Sequence, residues 1–282
     1  MAYIAIMPLY QAVILALVQG LTEFLPISSS GHLALAPWLL GWKDPGLTFD
    51  IALHLGTLVA IIIYFFKDWV QVLGQGFGLN TGSDPELKVN RNLLWLMAVA
   101  TVPAGIAGLA LHKAADTTLR EPPVGMYVIG GMLIGVGLLM WWAERAGKQD
   151  RDIGKLGLLD AFLVGCAQAL AVIPGTSRSG ITITAGLFRG FNRGAAARFS
   201  FLLSTPTIAA AAAKAAWDLH KAGGIAPDMR MPFVVGIIVS GLSGTVVVAF
   251  LMRFLRLHSM MVFVWYRLAL GILIIALALA GR

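Results

Sequence analysis

A chain of 282 residues that is 58% hydrophobic and only 12% charged, with a mean hydropathy of +0.82, carries about half the charge usual in a soluble domain, which is roughly 25%. That excludes a water-soluble enzyme or binding module, and because no hydrophilic stretch is long enough to stand alone, residues 1–282 read as one membrane domain. The formal charge of +7 sits in short loops between apolar segments, which suits membrane topology and excludes nucleic acid as a partner.

Residues 4–25 are apolar enough for a signal peptide, but they lack a basic n-region and carry Gln19 and Glu23, so they are expected to stay in the mature protein. They open an apolar region, 4–40, interrupted by Pro26-Ile27-Ser28-Ser29-Ser30-Gly31. A spanning helix needs about 20 apolar residues, and 49–66 supplies the first. Residues 69–78 read as a short interfacial helix anchored by Trp69; Gly74-x-Gly76-x-Gly78 lacks the strand–helix setting of a nucleotide fingerprint. Spans follow at 93–112 and 125–143. The region 156–188 is again interrupted, by Pro174-Gly175-Thr176-Ser177-Arg178-Ser179-Gly180. It holds the single cysteine, Cys166, which rules out a disulfide within the chain and implies no metal cluster. Spans at 199–217, 232–251 and 260–280 complete the series.

After each interruption only about ten apolar residues remain, too few to cross again. Each broken region is therefore expected to be a re-entrant pair whose polar backbone lines a protein cavity. The fold class is all-α polytopic: six full transmembrane helices plus two re-entrant pairs, about ten helices. A shift of 148 superposes Pro26 on Pro174, Ser29 on Ser177 and Thr57 on Thr205, and Gly105-Ile106-Ala107-Gly108 resembles Gly241-Leu242-Ser243-Gly244. Weak internal symmetry with matching broken helices is the mark of an inverted repeat with its site at the repeat interface. The first repeat is expected over 1–143 and the second, with opposite insertion because each half has three spans, over 156–282. Loops on one side hold twelve Lys and Arg and those on the other seven, the latter including Lys113, Arg120 and Arg282. The richer side is expected in the cytoplasm, which puts both termini and the first re-entrant pair outside.

Ionisable residues within apolar segments are costly and mark function by default. They are Glu23, His32, Asp50, His54, Asp160, Arg178 and Arg267. At the first break Gln19 and Glu23 share a helix face at i, i+4. Ser28, Ser29, Ser30 and Gly31 open a short helix whose N-terminus favours an anion, and His32 follows in its first turn. At the second break Arg178, a planar five-donor fork suited to phosphate oxygens, stands among Thr176, Ser177, Ser179 and Gly180. Carboxylate, hydroxyls, imidazole and guanidinium together suggest phosphoryl chemistry. The plainer alternative is serines that only cap helices around a structural ion pair of Arg178 with Glu23 or Asp160. His54, i+4 from Asp50, reads equally well as a hydrogen-bonded helix histidine. Asp160 and Arg267 read as structural ion pairs, and His112, His220 and His258 as solvated segment ends.

The strings QGLTEFLPISSSGH (19–32) and PGTSRSG (174–180) closely resemble the two signature motifs of the undecaprenyl-diphosphate phosphatase (bacitracin-resistance protein) family, and the resemblance in length and span pattern extends over the whole chain. It implies hydrolysis of undecaprenyl pyrophosphate to undecaprenyl phosphate plus phosphate, recycling the lipid carrier for peptidoglycan. It also implies bacitracin resistance, residence in the bacterial cytoplasmic (inner) membrane, an active site opening to the periplasm, and a divalent cation, Mg²⁺ or Ca²⁺. Ser29, His32 and Arg178 correspond to residues the family treats as functional. The family's motif has an acidic pair spaced four apart; here the second acid is Glu23 and the first position is Gln19, which can ligate a metal but cannot act as a base. The expected roles are Glu23 and Gln19 for the metal, and Ser29 or a metal-activated water as nucleophile. His32 is the expected proton carrier, with Arg178, Ser28, Ser30, Thr176, Ser177 and Ser179 on the phosphates. A transporter or flippase of an anionic or lipid-linked substrate is the rival reading, and a homodimer is left open.

Overall fold

A computed structural model describes residues 7–116, 119 and 122–281, with the side chains of 112–116 outside the described set. The side chains of His112 and Lys113, and all of Arg120 and Arg282, thus lie outside the described residues. Twelve α-helices and no strands occur among those described. They are α1 (Leu9–Thr22), α2 (Ser29–Leu40), α3 (Leu47–Tyr64), α4 (Phe66–Gly76), α5 (Pro85–Val89), α6 (Leu93–Asp116), α7 (Val124–Ala146), α8 (Leu158–Ala169), α9 (Arg178–Phe188), α10 (Arg193–Lys221), α11 (Arg230–Leu257) and α12 (Met261–Leu279). Six of these, α3, α6, α7, α10, α11 and α12, are long and apolar enough to cross a bilayer. They coincide with the six spans expected from hydropathy. The chain is an all-α, multi-pass membrane protein. The interfacial helix begins three residues earlier than expected, and the short α5 was not foreseen. Its cap explains it: the Asp84 carboxylate accepts from the Leu87 N–H at 3.1 Å, and Pro85 takes the first helical position.

The short helices come in pairs. α1 runs into Glu23 and stops before Pro26, whose missing N–H and fixed φ end a helix; α8 tightens into a 3₁₀ turn, 170–172, before Pro174-Gly175. Helices from the two ends of the chain interleave: α1 and α3 both lie on α11, α8 lies on α6, α7 on α12, and α3 also faces α10. Close approach depends on absent side chains. A Cβ on Gly165 would strike the Ala100 backbone, and one on Gly130 would meet Ile275 and the Gly271 carbonyl, as small residues at membrane helix contacts allow. Gly131, by contrast, faces open space. The largest buried cluster gathers Phe24 and Ile27 of the first break with Phe201, Leu202 and Leu203 of α10, and Phe24 meets Phe201 edge-on at 5.6 Å.

Two expectations need correcting. The helix starts after the breaks match at a shift of 149, not 148. Ser28 and Ser177 are the N-caps, with φ of 76° and 68°, and their hydroxyls accept from Gly31 N and Gly180 N at 3.3 and 3.1 Å. The structural counterpart of Ser29 is therefore Arg178. Proline matching misjudged the offset because the turn before the second cap is one residue longer. Arg267 forms no ion pair among the described residues. Fully buried, it donates instead to five carbonyls at 3.0–3.2 Å: Leu133 and Met132 of α7, Pro26 of the first break, and Gly175 and Thr176 of the second. The breaks leave carbonyls without helical partners, and a planar fork satisfies several at once. Asp160 does pair as expected, with Arg151 at 2.6 Å and Arg189 at 2.7 Å, tying the start of α8 to the end of α9.

Candidate active site

Each break delivers its first helical residue to the same place. Ser29 opens α2 and Arg178 opens α9, and both reach Glu23 at the end of α1. Ser29 Oγ donates to Glu23 Oε2 at 2.5 Å, and Arg178 Nη2 pairs with Oε1. Gln19 Nε2, one turn back on α1, donates to Oε2 at 2.9 Å. The Glu23 side chain is 3% exposed, so its charge depends on these partners. The caps explain the convergence. Non-glycine residues rarely take positive φ, and here two serines do so at equivalent points, turning each chain sharply into its short helix. A Cβ added to Gly31 would lie 3.7 Å from Gly175 Cα, so the two breaks are in direct apposition.

A fourth helix contributes a residue that sequence reasoning had left undecided. His54 of α3 places Nε2 3.2 Å from Glu23 Oε2, and its Nδ1 lies 2.7 Å from the Asp50 carbonyl. A carbonyl only accepts, so Nδ1 carries a proton; Nε2 then faces a carboxylate oxygen, which also accepts. The Glu23–His54 pair must therefore hold one further proton. Spacing along the chain could not reveal this, because residues 23 and 54 meet only through the packing of α1 on α3.

The remaining residues divide by what their polar atoms touch. Ser30, Ser29, His32, His54 and Arg178 are part-buried, and of these Ser29, His54 and Arg178 reach the buried carboxylate. Ser30 Oγ lies 3.3 Å from Ser28 Oγ. Arg178 Nη1 donates to the Ser204 carbonyl at 3.2 Å, which steadies its fork from α10. Four hydroxyls expected on phosphate are engaged elsewhere. Ser28 and Ser177 cap their helices. Ser179 lies 3.2 Å from Ser177 Oγ and donates to the Leu25 carbonyl across the interface at 3.2 Å. Thr176, wholly buried, donates to Leu170 O and Ile173 O within its own turn. The plainer capping role thus describes Ser28 and Ser177, while Ser179 and Thr176 are taken up by backbone carbonyls. His32 is not bonded to Glu23; Nδ1 lies 2.6 Å from the Ser28 carbonyl and Nε2 2.7 Å from the Tyr266 hydroxyl.

For a metal, no group of three or more His, Cys, Asp or Glu occurs among the described residues. Gln19 Oε1, however, is buried with no hydrogen-bond partner, beside the Glu23 carboxylate. An orphaned amide oxygen next to a carboxylate gives two hard oxygen ligands. That suits a cation completing its shell with substrate phosphates and water, as Mg²⁺ does, and it fits the expected ligand pair.

The chain is similar in sequence to known proteins over nearly its whole length. The model of the family described as Bacitracin resistance protein BacA matches residues 12–273. An undecaprenyl-diphosphatase of Trichlorobacter lovleyi is 48% identical over 275 residues, covering 98% of this chain and 99% of that protein. Those of Moorella thermoacetica and Thermomicrobium roseum are each 43% identical, over 270 and 279 residues, covering 96% and 98% of this chain and 98% and 100% of theirs. With the family's pattern running through both breaks and all six spans, the chain belongs to the bacitracin resistance protein BacA family.

Proposed function

We propose that this chain is an undecaprenyl-diphosphatase, hydrolysing undecaprenyl pyrophosphate to undecaprenyl phosphate and inorganic phosphate and so returning the lipid carrier to cell-wall synthesis. The observation that carries the reading is the meeting of Ser29, Arg178, His54 and Gln19 on one buried carboxylate. Phosphoryl transfer needs charge neutralised on the transferred group and a nucleophile in line with the leaving oxygen. Arg178 turns from Glu23 to the phosphate oxygens when substrate arrives, since its fork suits them equally well. The freed carboxylate is within hydrogen-bond reach of Ser29, the relation a nucleophile and its base require. Ser29 Oγ attacks the terminal phosphorus, its proton passes to Glu23, and the bond to the lipid monophosphate breaks. Water then cleaves the phosphoserine, giving its proton to His32, while the proton held by Glu23 returns to the serine oxygen and restores its hydroxyl. Gln19 and Glu23 would hold a divalent cation, Mg²⁺ or Ca²⁺, which when bound supplies positive charge to the pyrophosphate.

The polyprenyl tail remains in lipid between helices. The protein lies in the bacterial cytoplasmic membrane with both termini, and the site, facing outward; the two halves insert oppositely, as the charge bias of the loops suggests. The test is phosphate release from undecaprenyl pyrophosphate by purified protein in detergent, where no gradient exists to drive transport. Wild-type protein releases phosphate and chelator suppresses it. Ser29→Ala abolishes turnover, and mass spectrometry finds phosphate on Ser29 of the wild type during turnover. Activity of Ser29→Ala within about threefold of wild type, less than 1 kcal/mol, moves the nucleophile to water.

A further inference from the structure

The resting position of His32 points to a residue that neither signature motif contains. Its Nδ1 lies 2.6 Å from the Ser28 carbonyl, which can only accept, so the ring proton of the neutral imidazole sits on Nδ1. Nε2 is then the nitrogen with the free lone pair, and 2.7 Å away stands the hydroxyl of Tyr266, which must be the donor. The two rings also lie nearly parallel, 11° apart in plane with centroids at 5.8 Å. Both nitrogens of His32 are thereby held, one by its own helix start and the other by α12.

Tyr266 itself is 43% exposed. Its neighbour Arg267 is wholly buried and bonded to carbonyls of both breaks and of α7. Successive helical residues point about 100° apart, so anchoring Arg267 inside leaves Tyr266 beside the start of α2, where His32 lies. From this juxtaposition we infer that Tyr266 relays the proton to His32: in the hydrolytic step its hydroxyl hands its own proton to Nε2 as it takes one from the attacking water. This rests on the proposed role of His32 as proton acceptor in the hydrolytic step. One O–H bond of the phenol breaks and another forms, so the phenol ends unchanged and the proton rests on His32.

Tyr266→Phe keeps the ring while removing only the hydroxyl, so it separates the relay from packing. Phosphate release from undecaprenyl pyrophosphate is measured for wild type, Tyr266→Phe, His32→Ala and the double variant, with kcat and KM resolved. Interrupting a proton path costs far more in turnover than in binding. Tyr266→Phe should therefore lower kcat about tenfold with KM within about twofold, and in the His32→Ala background the same change should have no further effect. An unaltered kcat in Tyr266→Phe, with His32→Ala inactive, overturns the relay and leaves the site reading intact. A loss of equal size in both backgrounds assigns the hydroxyl a role independent of His32 and also overturns it. Full activity in His32→Ala removes the histidine from the chemistry and Tyr266 with it.

Discussion

The two breaks are built alike and equipped differently. In each, a serine with positive φ caps a short helix, its hydroxyl bonded to the glycine N–H three residues on and next to a second serine hydroxyl: Ser28, Ser30 and Gly31 in one, Ser177, Ser179 and Gly180 in the other. Even the glutamine in the preceding helix repeats, since Gln19 and Gln168 are both buried with an unpartnered Oε1. What does not repeat is chemistry. At the same shift of 149, Glu23 faces Val172, Ser29 faces Arg178 and His32 faces Ile181. The first break carries carboxylate, hydroxyl and imidazole, and the second only a guanidinium. A pair of helix starts is therefore a scaffold, and the site exists because two unlike sets of side chains were placed on it face to face. Neither break is a site by itself.

The largest effect should come from removing one partner across the interface. Glu23→Ala and Arg178→Ala are each expected to lower phosphate release at least about a hundredfold, near 2.7 kcal/mol. Arg178→Lys should recover only part of that, because an ammonium keeps the charge but loses the fork. Near-normal turnover in correctly folded Glu23→Ala would mean that the two breaks meet for structure alone. A smaller loss, about tenfold, is expected from His54→Ala, which removes a group on α3 that holds Glu23. If it leaves turnover unchanged, the asymmetry is confined to the motifs.

The outer ends of the two hairpins differ as well, and that contrast should show in stability rather than rate. Tyr10 and Trp42 meet edge-on at 5.8 Å near the ends of the first, whereas Asp160 with Arg151 and Arg189 closes the second. Asp160→Asn should lower thermal stability in detergent by about 2 kcal/mol, below the roughly 3–5 of a fully buried pair because both arginines are partly exposed. Phosphate release per folded molecule should be unchanged; a proportionate loss of activity would extend the site to the hairpin's far end.

The smallest effect lies outside both breaks, where Asp84 caps α5 and pairs with Arg198 at 3.0 Å. Burial alone would raise its pKa, but the Leu87 N–H and the Arg198 guanidinium outweigh that and hold it below the ordinary 3.8. Because the folded value is depressed, this contribution to stability is complete above about pH 4 and is lost as pH falls through the folded value. Asp84→Asn should therefore be slightly less stable than wild type at neutral pH, and the difference should shrink on acidification below pH 4. A difference that stays constant with pH would assign the cap, rather than the charge, to the effect.

Much of this was legible one residue at a time. Glu23 and Arg178 stood out because an ionisable group in an apolar run needs a reason, and Pro26 and Pro174 marked the breaks because proline cannot continue a helix. The hydroxyls were harder to apportion. Thr176 and Ser179 look the same in the chain as a phosphate ligand would, and only their partners, Leu170 O and Ile173 O for one and Leu25 O for the other, show them engaged within the protein. His54 had a helical neighbour in Asp50 that made an ordinary role equally plausible, and Arg267 was assigned an acidic partner when broken helices offered carbonyls instead.

By itself the sequence determined the solvent, the six spans, the two interruptions and the charged residues that had to be explained, because hydropathy, helix length and proline geometry act over a few neighbouring residues. Only the tertiary structure decided who meets whom: that Ser29 and Arg178 share one carboxylate, that His54 joins them from another helix, and that Tyr266 holds His32. Those contacts join residues 6 to 234 positions apart in the chain. They depend on how helices are offset and rotated against one another, which no local pattern of residues encodes.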